Sequence, residues 1–565
     1  MRKEFYLSIV FGCFLALPLT AQNNINPVIQ VERPYEASLM DVTKPKLDTS
    51  VPDSLKTIST LFQYTLQEKP LHNLYAFSPL PSAILVHSDT YARPRYGLLD
   101  LGFASPCSPT GSLFLQLPTS PSWIFGLNTT HHSEWANDTR DAQGFTDRMR
   151  NNGSLRLEHR GTRNTFYFQG DIDNLYHTFN STLDSTLYSH GPLAHHQTYF
   201  RVGGSMGLSS ADTTRSSWRY NLTAGYWHAV NELANYDRQQ MERIRENVLR
   251  VNGMIGYNIL SSFSVNLGGA AAFASDQWAL SAESASHAVL ELFPHINWSG
   301  ERFKVAVGGR FDYSLESPLD SASNALHAYP WADMHLVLAP DWLVVYGKLD
   351  GKTSLNTYQD RIQEMPWLHT PSLHNAHTPW DAQVGLKGSV HDVFSYRLYA
   401  GYCYTKGKAY YVPEVHPTGT PGYYTLAYVK EKRYTLGGSL TLSTRSLDAL
   451  LSAEYHHFDI CTGNPPWHQP KLEVTGMVRY NWRERILATL TGYYRGVTYA
   501  PDIKAAAPYV TLPGYFSLDL RLEYVWNRFF STYLYGLDLL NQNTQEFYLY
   551  DDVDLSCGIG ITFRF

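Results

Sequence analysis

The sequence predicts an all-β fold: a transmembrane antiparallel β-barrel of about 22 strands with a short irregular N-terminal arm. Three observations carry that prediction. Long stretches alternate apolar and polar residues with a period of two, which only extended strands produce. The connections between these stretches are alternately short and long. Beyond the first residues, no segment approaches the roughly 18 consecutive apolar residues of a membrane helix. A chain that crosses lipid without such helices crosses it as a closed barrel.

The composition agrees. Of 565 residues, 17% are charged and 14% are aromatic, with 40 Tyr against 26 Phe and 13 Trp. Tyrosine pairs an apolar ring with a polar tip and suits a membrane–water boundary. The formal charge of −6 gives no basic excess, so nucleic acid is not an expected partner.

Residues 1–22 read as a secretory signal peptide. Arg2 and Lys3 supply the positive start, Phe5 to Leu17 the apolar core, and Leu19-Thr20-Ala21 the small-residue exit. Residues 23–93 read as an irregular arm, periplasmic or filling the lumen. Their seven prolines (27, 34, 45, 52, 70, 79 and 81) remove ladder donors and break helices. Residues 94–565 read as the barrel.

Within the barrel the alternation places strands near 95–104, 111–118, 122–133, 152–161, 164–178, 196–208, 214–231, 244–258, 262–274, 287–298 and 302–314. It continues at 327–338, 342–351, 378–388, 393–406, 433–445, 449–459, 471–482, 486–498, 514–526, 529–540 and 554–565. In 302–314, Phe303, Val305, Val307, Phe311 and Tyr313 face one way, and Lys304, Arg310 and Asp312 the other. In 514–526, Phe516, Leu518, Leu520, Leu522, Tyr524 and Trp526 oppose Ser517, Asp519, Arg521 and Glu523. A Lys or Arg facing the bilayer midplane costs roughly 2–4 kcal/mol, so Arg310 and Arg521 are expected in the lumen. The stretches 342–351 and 486–498 alternate poorly, and 423–429 is a candidate to pair with a neighbour.

Short turns fall at 298–302, 338–342, 445–449, 482–486 and 526–529. Long loops fall at 275–286, 315–326, 352–377, 407–432, 460–470, 499–513 and 541–553. Bacterial barrels keep their turns short on the periplasmic side and long on the outside. An even strand number then puts both termini in the periplasm.

The last strand, Asp554 to Phe565, sets Cys557, Ile559, Ile561, Phe563 and Phe565 against Gly558, Gly560, Thr562 and Arg564. It resembles the C-terminal assembly signal of bacterial outer-membrane proteins. That resemblance implies a Gram-negative outer membrane, its lipid, and an assembly machinery that engages the strand ending at Phe565. The stretches PGYFSLDLRLEYVW (513–526), STYLYGLDLLNQNTQEFY (531–548) and CGIGITFRF (557–565) resemble the barrel of TonB-dependent receptors. VIQVERPY (28–35), Lys44-Pro45 and YAFSPLPSA (75–83) resemble a narrower group of Bacteroidota outer-membrane barrels that are TonB-dependent-receptor-like. The resemblance implies transport, with a surface lipoprotein or a periplasmic energising partner. Full receptors begin with a larger folded plug; no plug signature is found in residues 23–93, and TonB coupling is not carried over. A lumen of 22 strands is wide enough to leak unless filled. The candidates to fill it are residues 23–93, the long loops 352–377 and 407–432 folded inward, or a partner protein.

Chemistry-bearing motifs are sparse. Gly203 to Gly207 matches G-x-S-x-G, but lies on an alternating strand with no helix after it, where a nucleophile elbow needs one. His369, His374 and His377 crowd one loop and are the weak candidates for a metal or haem iron. His131-His132 and His456-His457 lie on strands, where adjacent residues face opposite ways. Cys107, Cys403, Cys461 and Cys557 form no C-x-x-C pair. No catalytic set and no cofactor site stand out, and an enzyme is not expected. The reading is an outer-membrane barrel that transports or admits a nutrient. The alternative is a non-transporting scaffold, adhesin or secretion accessory.

Overall fold

The alternation closes on itself. The computed structural model describes residues 96–565 apart from 106, 136–147, 179–195, 211–217, 236–239, 280–283, 318–322, 370–372, 392, 414–422, 503–507, 543–544, 549 and 551–554. The signal peptide expected at 1–22 and the arm expected at 23–93 lie outside the described residues.

The first half of the barrel runs β1 (Gly97–Ala104), β2 (Ser108–Pro118), β3 (Trp123–Glu134), β4 (Arg148–Arg160), β5 (Asn164–Thr178), β6 (His196–Ser210), β7 (Trp218–Asn235), β8 (Gln240–Leu260), β9 (Phe263–Trp278), β10 (Ser284–Ser299) and β11 (Phe303–Ser317). Then follow β12 (Ser323–Ala339), β13 (Leu343–Ser354), a helix α1 (Tyr358–Glu364), β14 (Ala376–Val390), β15 (Phe394–Pro413), β16 (Tyr424–Ser443), β17 (Leu447–Ile460), β18 (Leu472–Trp482) and β19 (Ile486–Arg495). A two-stranded ribbon, β20 (Thr498–Ala500) and β21 (Val510–Leu512), precedes β22 (Tyr515–Val525), β23 (Phe530–Leu537) and β24 (Ser556–Arg564). Each strand of the 22-stranded sheet pairs antiparallel with its neighbours, and β24 returns to β1 with Ile561 opposite Leu101. Every strand expected from the alternation is present, including the two poorly alternating ones.

Arg310 and Arg521 face the lumen as expected. Arg310 meets Glu291 at 3.1 Å and Asp350 at 2.9 Å. Asp100 of β1 accepts from Arg521 of β22 (3.2 Å), Tyr533 of β23 (2.5 Å) and Thr562 of β24 (2.8 Å), so one carboxylate ties the closing seam together. The opposite face is oily: Leu436, Val384, Ile559 and Leu534 stand outward and exposed.

Aromatic girdles bound this band. Trp123, Trp218, Trp298, Trp342, Trp482 and Trp526 stand outward beside the short connections. Phe273, Tyr313, Trp380, Tyr434 and Tyr455 stand outward on the far side. The separation is about the 9–11 residues that a tilted spanning strand needs. The connections at the first girdle include 161–163, 261–262, 300–302, 391–393 and 444–446. At 482–485 the turn closes with Arg485 N–H donating to Trp482 at 3.0 Å while Arg483 and Glu484 both take positive φ (53° and 58°), the type I′ geometry that matches strand twist.

At the other end the sheet overshoots the lipid band. β8 has 21 residues and β15 and β16 have 20 each, about twice a spanning length. This corrects the long loop expected at 407–432, most of which is strand. Lys406 still pairs with Lys430, the register shifts at Gly407 (φ 72°), and pairing resumes as far as Pro413 opposite Tyr424. The candidate pairing of 423–429 is part of this ladder. The loops expected at 275–286 and 315–326 shorten in the same way. Above the lipid the outer face has no reason to be apolar, so the alternation fades there while the hydrogen-bond ladder continues.

Candidate functional site

At the long-loop mouth of the barrel, part of its own chain packs inward against the wall. The described part of the connection from β13 to β14, residues 355–369 and 373–375, folds inward rather than outward. It carries α1, and Tyr358, Ile362, Met365, Trp367 and Leu368 are each at most 2% exposed. They join one apolar cluster with Leu175, Tyr199, Leu233, Ile244 and Trp278 from β5 to β9 and with Tyr411 and Tyr424 from β15 and β16. The segment therefore reaches from its own strands to walls on both sides of the opening. Burying a side chain of this size is worth roughly 1.5–3 kcal/mol.

Local sequence begins the helix. Thr357 is its N-cap, accepting from Asp360 N–H at 3.2 Å. The barrel wall completes the cap. Glu246 of β8 accepts from the backbone N–H of Tyr358 (2.5 Å) and of Gln359 (2.8 Å), one carboxylate oxygen each. These are donors that a helix cannot satisfy internally, and a negative group suits that end. Asn231 of β7 donates to the Tyr358 hydroxyl at 2.6 Å, which itself donates to the Leu368 carbonyl at 3.2 Å. Arg250 pairs with Asp360 at 2.7 Å.

The far end is held by another network. Arg361 donates to Asn356 at 2.6 Å and pairs with Glu364 at 2.8 Å; the Tyr411 hydroxyl donates to the same Glu364 at 2.5 Å. The lid backbone joins the start of β16: Tyr424 N–H donates to Trp367 (3.0 Å) and His369 N–H to Tyr424 (2.8 Å). Trp367 stacks on Tyr550, from the connection between β23 and β24, at 3.6 Å between centroids. Tyr424 donates to the Tyr548 carbonyl at 2.5 Å. His468 N–H donates to Tyr499 at 2.8 Å, and Arg495 pairs with Glu546 at 2.7 Å deep in the same layer. Four connections thus lock into one cap.

The three loop histidines do not converge. His369 packs edge-on against Trp278 and beside Tyr423. His374 meets Glu316 at 3.4 Å. His377 lies on β14 beside His327, ring centroids 4.3 Å apart, and meets Thr353 at 3.2 Å. Among the described residues no group of three or more His, Cys, Asp or Glu is placed to hold a metal. His131 meets Asn151 and His132 meets Glu134, on opposite faces of β3. The four cysteines among the described residues are unpaired thiols. The G-x-S-x-G stretch lies within β6, where a Cβ on Gly203 or Gly207 would strike the rings of Trp227 or Tyr167. Those glycines make room for aromatic rings.

No protein-family model matches the chain, and no curated protein matches it. Solved structures do. The FrpB iron transporter from Neisseria meningitidis superposes with a TM-score of 0.66 at 8% identity, over 84% of this chain and 82% of that one. The siderophore receptor PirA from Acinetobacter baumannii gives 0.65 at 12% identity, over 85% and 81%. The ferric-catecholate import receptor Fiu from Escherichia coli K12 gives 0.61 at 12%, over 84% and 82%. The chain has the barrel fold of these receptors. Their names are those of importers and receptors, not of enzymes. The sequence pointed to the same fold through its strand count and its last 60 or so residues.

Proposed function

We propose that this barrel lies in the Gram-negative outer membrane and admits a nutrient through a mouth that is normally shut. The observation that carries the reading is the inward fold of residues 355–369, with Trp367 and Tyr358 buried among side chains from opposite walls. A diffusion pore has no use for a buried cap. A gated importer needs one that can leave without unfolding the sheet, and the segment packed inward here, residues 355–369, is a connection rather than a sheet strand. The short connections and both ends of the barrel, Gly97 and Phe565, share one rim, which we assign to the periplasm. The capped rim then faces outside, where cargo arrives.

The structural relatives named for iron, siderophores and a ferric catecholate make iron chelates the first cargo to try. A periplasmic energising partner fits this reading, since displacing so much buried surface needs work. A surface lipoprotein would act on the cap from outside, and the assembly machinery would engage the strand ending at Phe565. Residues 23–93 are proposed as a periplasmic or lumen-filling arm, after a signal peptide at 1–22.

Single-channel conductance in a planar bilayer, with and without residues 23–93, tests the reading. Silence in the intact protein is expected, with at most brief openings after truncation. Large steady currents from the intact protein would replace gated uptake by free diffusion. A protein silent in every form, and inert toward iron chelates in uptake by cells, would favour the scaffold, adhesin or secretion accessory.

A further inference from the structure

We propose that Glu246 and Asp276 form a proton-holding latch that keeps residues 357–368 folded into the mouth, and that the mouth opens as the pair gives up its proton to water. The inference rests on the reading of this segment as a gate and adds what controls it.

The geometry is specific. Glu246 on β8 and Asp276 on β9 are directly opposed in the ladder, on the lumenal face and beyond the second girdle. Opposed side chains on one face lie within about 5.5 Å, and like charges there repel. Each is 1% exposed. Glu246 is committed to the two N–H groups of α1, while both oxygens of Asp276 are buried with no hydrogen-bond donor. Two buried carboxyls side by side hold a proton between them, because a second negative charge there has neither water nor a counter-ion.

The surrounding groups supply no such counter-ion. On β8 itself lie Glu242, also buried, and Arg250, which is engaged with Asp360. From β6 comes Tyr199 and from β7 Asn231; α1 contributes the Tyr358 hydroxyl and Asp360. From β10 comes His287, whose Nε2 is 3.9 Å from Asp276 and whose ring nitrogens are both buried and unpartnered. His287 in turn faces Glu316 of β11 and His374. Burial pushes His287 below its ordinary range, so it is a poor cation at neutral pH.

The direction follows. Burial, and for Glu246 the adjacent Asp276, raise both carboxyls, Asp276 to about 7. The closed form binds protons more tightly than an open, hydrated one. Closure is therefore fully present at low pH and is lost as pH rises through about 7.

Amide hydrogen exchange on the full-length protein in lipid nanodiscs tests this at pH 6 and pH 9, corrected for the intrinsic rate. Protection of peptides covering 357–368 should fall by about tenfold or more, while β8 and β9 hold. Asp276→Asn, which keeps a donor beside Glu246 at every pH, should retain protection at pH 9. Unchanged protection in the wild type, or an equal loss in the variant, would overturn the latch. Should Asp276→Asn not form a heat-modifiable barrel, Asp276→Ser takes its place with the same expectation. No cargo is involved, so a negative result would sink the latch and leave gated uptake standing.

Discussion

Trp367 lies flat on Tyr550, ring centroids 3.6 Å apart and planes within 10° of parallel, although one belongs to the β13–β14 connection and the other to the β23–β24 connection. The stack is where two connections from distant strands meet across the mouth. Trp367 is 2% exposed and Tyr550 1%, so the pair sits in the cap's dry core. Removing the indole should cost roughly 3–5 kcal/mol of cap stability. We expect Trp367→Ala to expose the half-buried Arg361 to trypsin added outside intact cells, at a dose that leaves the wild type uncut. Equal resistance in the two proteins would show that the stack does not hold the cap.

The two ends of the lid should respond to pH with opposite signs. Its start is held by Glu246 and Asp276, whose carboxyls burial raises. Its end is held by Glu316, which accepts Asn375 N–H at 2.7 Å and meets His374 at 3.4 Å. Burial would raise the Glu316 carboxyl, but these hydrogen bonds outweigh it and hold it below its ordinary value. A depressed carboxyl contributes stability above its ordinary range and loses it as pH falls through the lowered one. Exchange of residues 373–377 should therefore rise in acid, below about pH 4, while 357–368 stay protected. Simultaneous release of both ends in acid would contradict the assignment of either carboxyl.

The lipid-facing band makes a sharper prediction than any lumenal residue. Leu436 and Thr435 are neighbours on β16; Leu436 is 65% exposed on the oily face, and Thr435 meets His456 at 3.0 Å inside. Leu436→Arg should cost roughly 2–4 kcal/mol of folding stability in vesicles, and Thr435→Arg much less. Urea titrations of refolding into lipid vesicles compare them. Equal costs would mean that the faces are misassigned.

At the seam, Asp100 gathers Arg521, Tyr533 and Thr562. Asp100→Ala leaves the Arg521 guanidinium without that partner, although Glu523 remains 3.6 Å away. Breaking a buried pair costs roughly 3–5 kcal/mol and a lumenal one less, so we expect a loss of about 2 kcal/mol. The temperature at which the barrel unfolds in detergent gels should drop clearly. No change would mean that the seam is held by the β1–β24 ladder alone.

These predictions divide along a line already present in the chain. Between the girdles the solvent is lipid outside and water inside, so each strand must alternate, and Phe303 to Tyr313 or Ile559 to Phe563 announce themselves. Past the second girdle both faces meet water, and Lys406, Gly407 and Lys408 keep no period although β15 runs on to Pro413. The lid was legible only by length, as one of two loops able to fold inward. Trp367 and Trp380 flank its histidines alike in sequence, yet Trp367 enters the cap and Trp380 stands outward in the girdle. Nothing local separates them. Thr357 and Asp360 could have marked a helix start, but α1 has only seven residues. Its decisive cap is Glu246, more than a hundred residues away. A carboxylate placed by sheet register leaves no trace in the segment it holds.

The most direct measurement is the single-channel conductance at pH 6 of the barrel lacking residues 23–93, with residues 356–374 either intact or replaced by a short Gly-Ser link. The account predicts silence with the segment intact and a large, steady current once it is removed. A large, steady current through the protein that still carries residues 356–374 would contradict it, because the mouth would then be open with its cap in place.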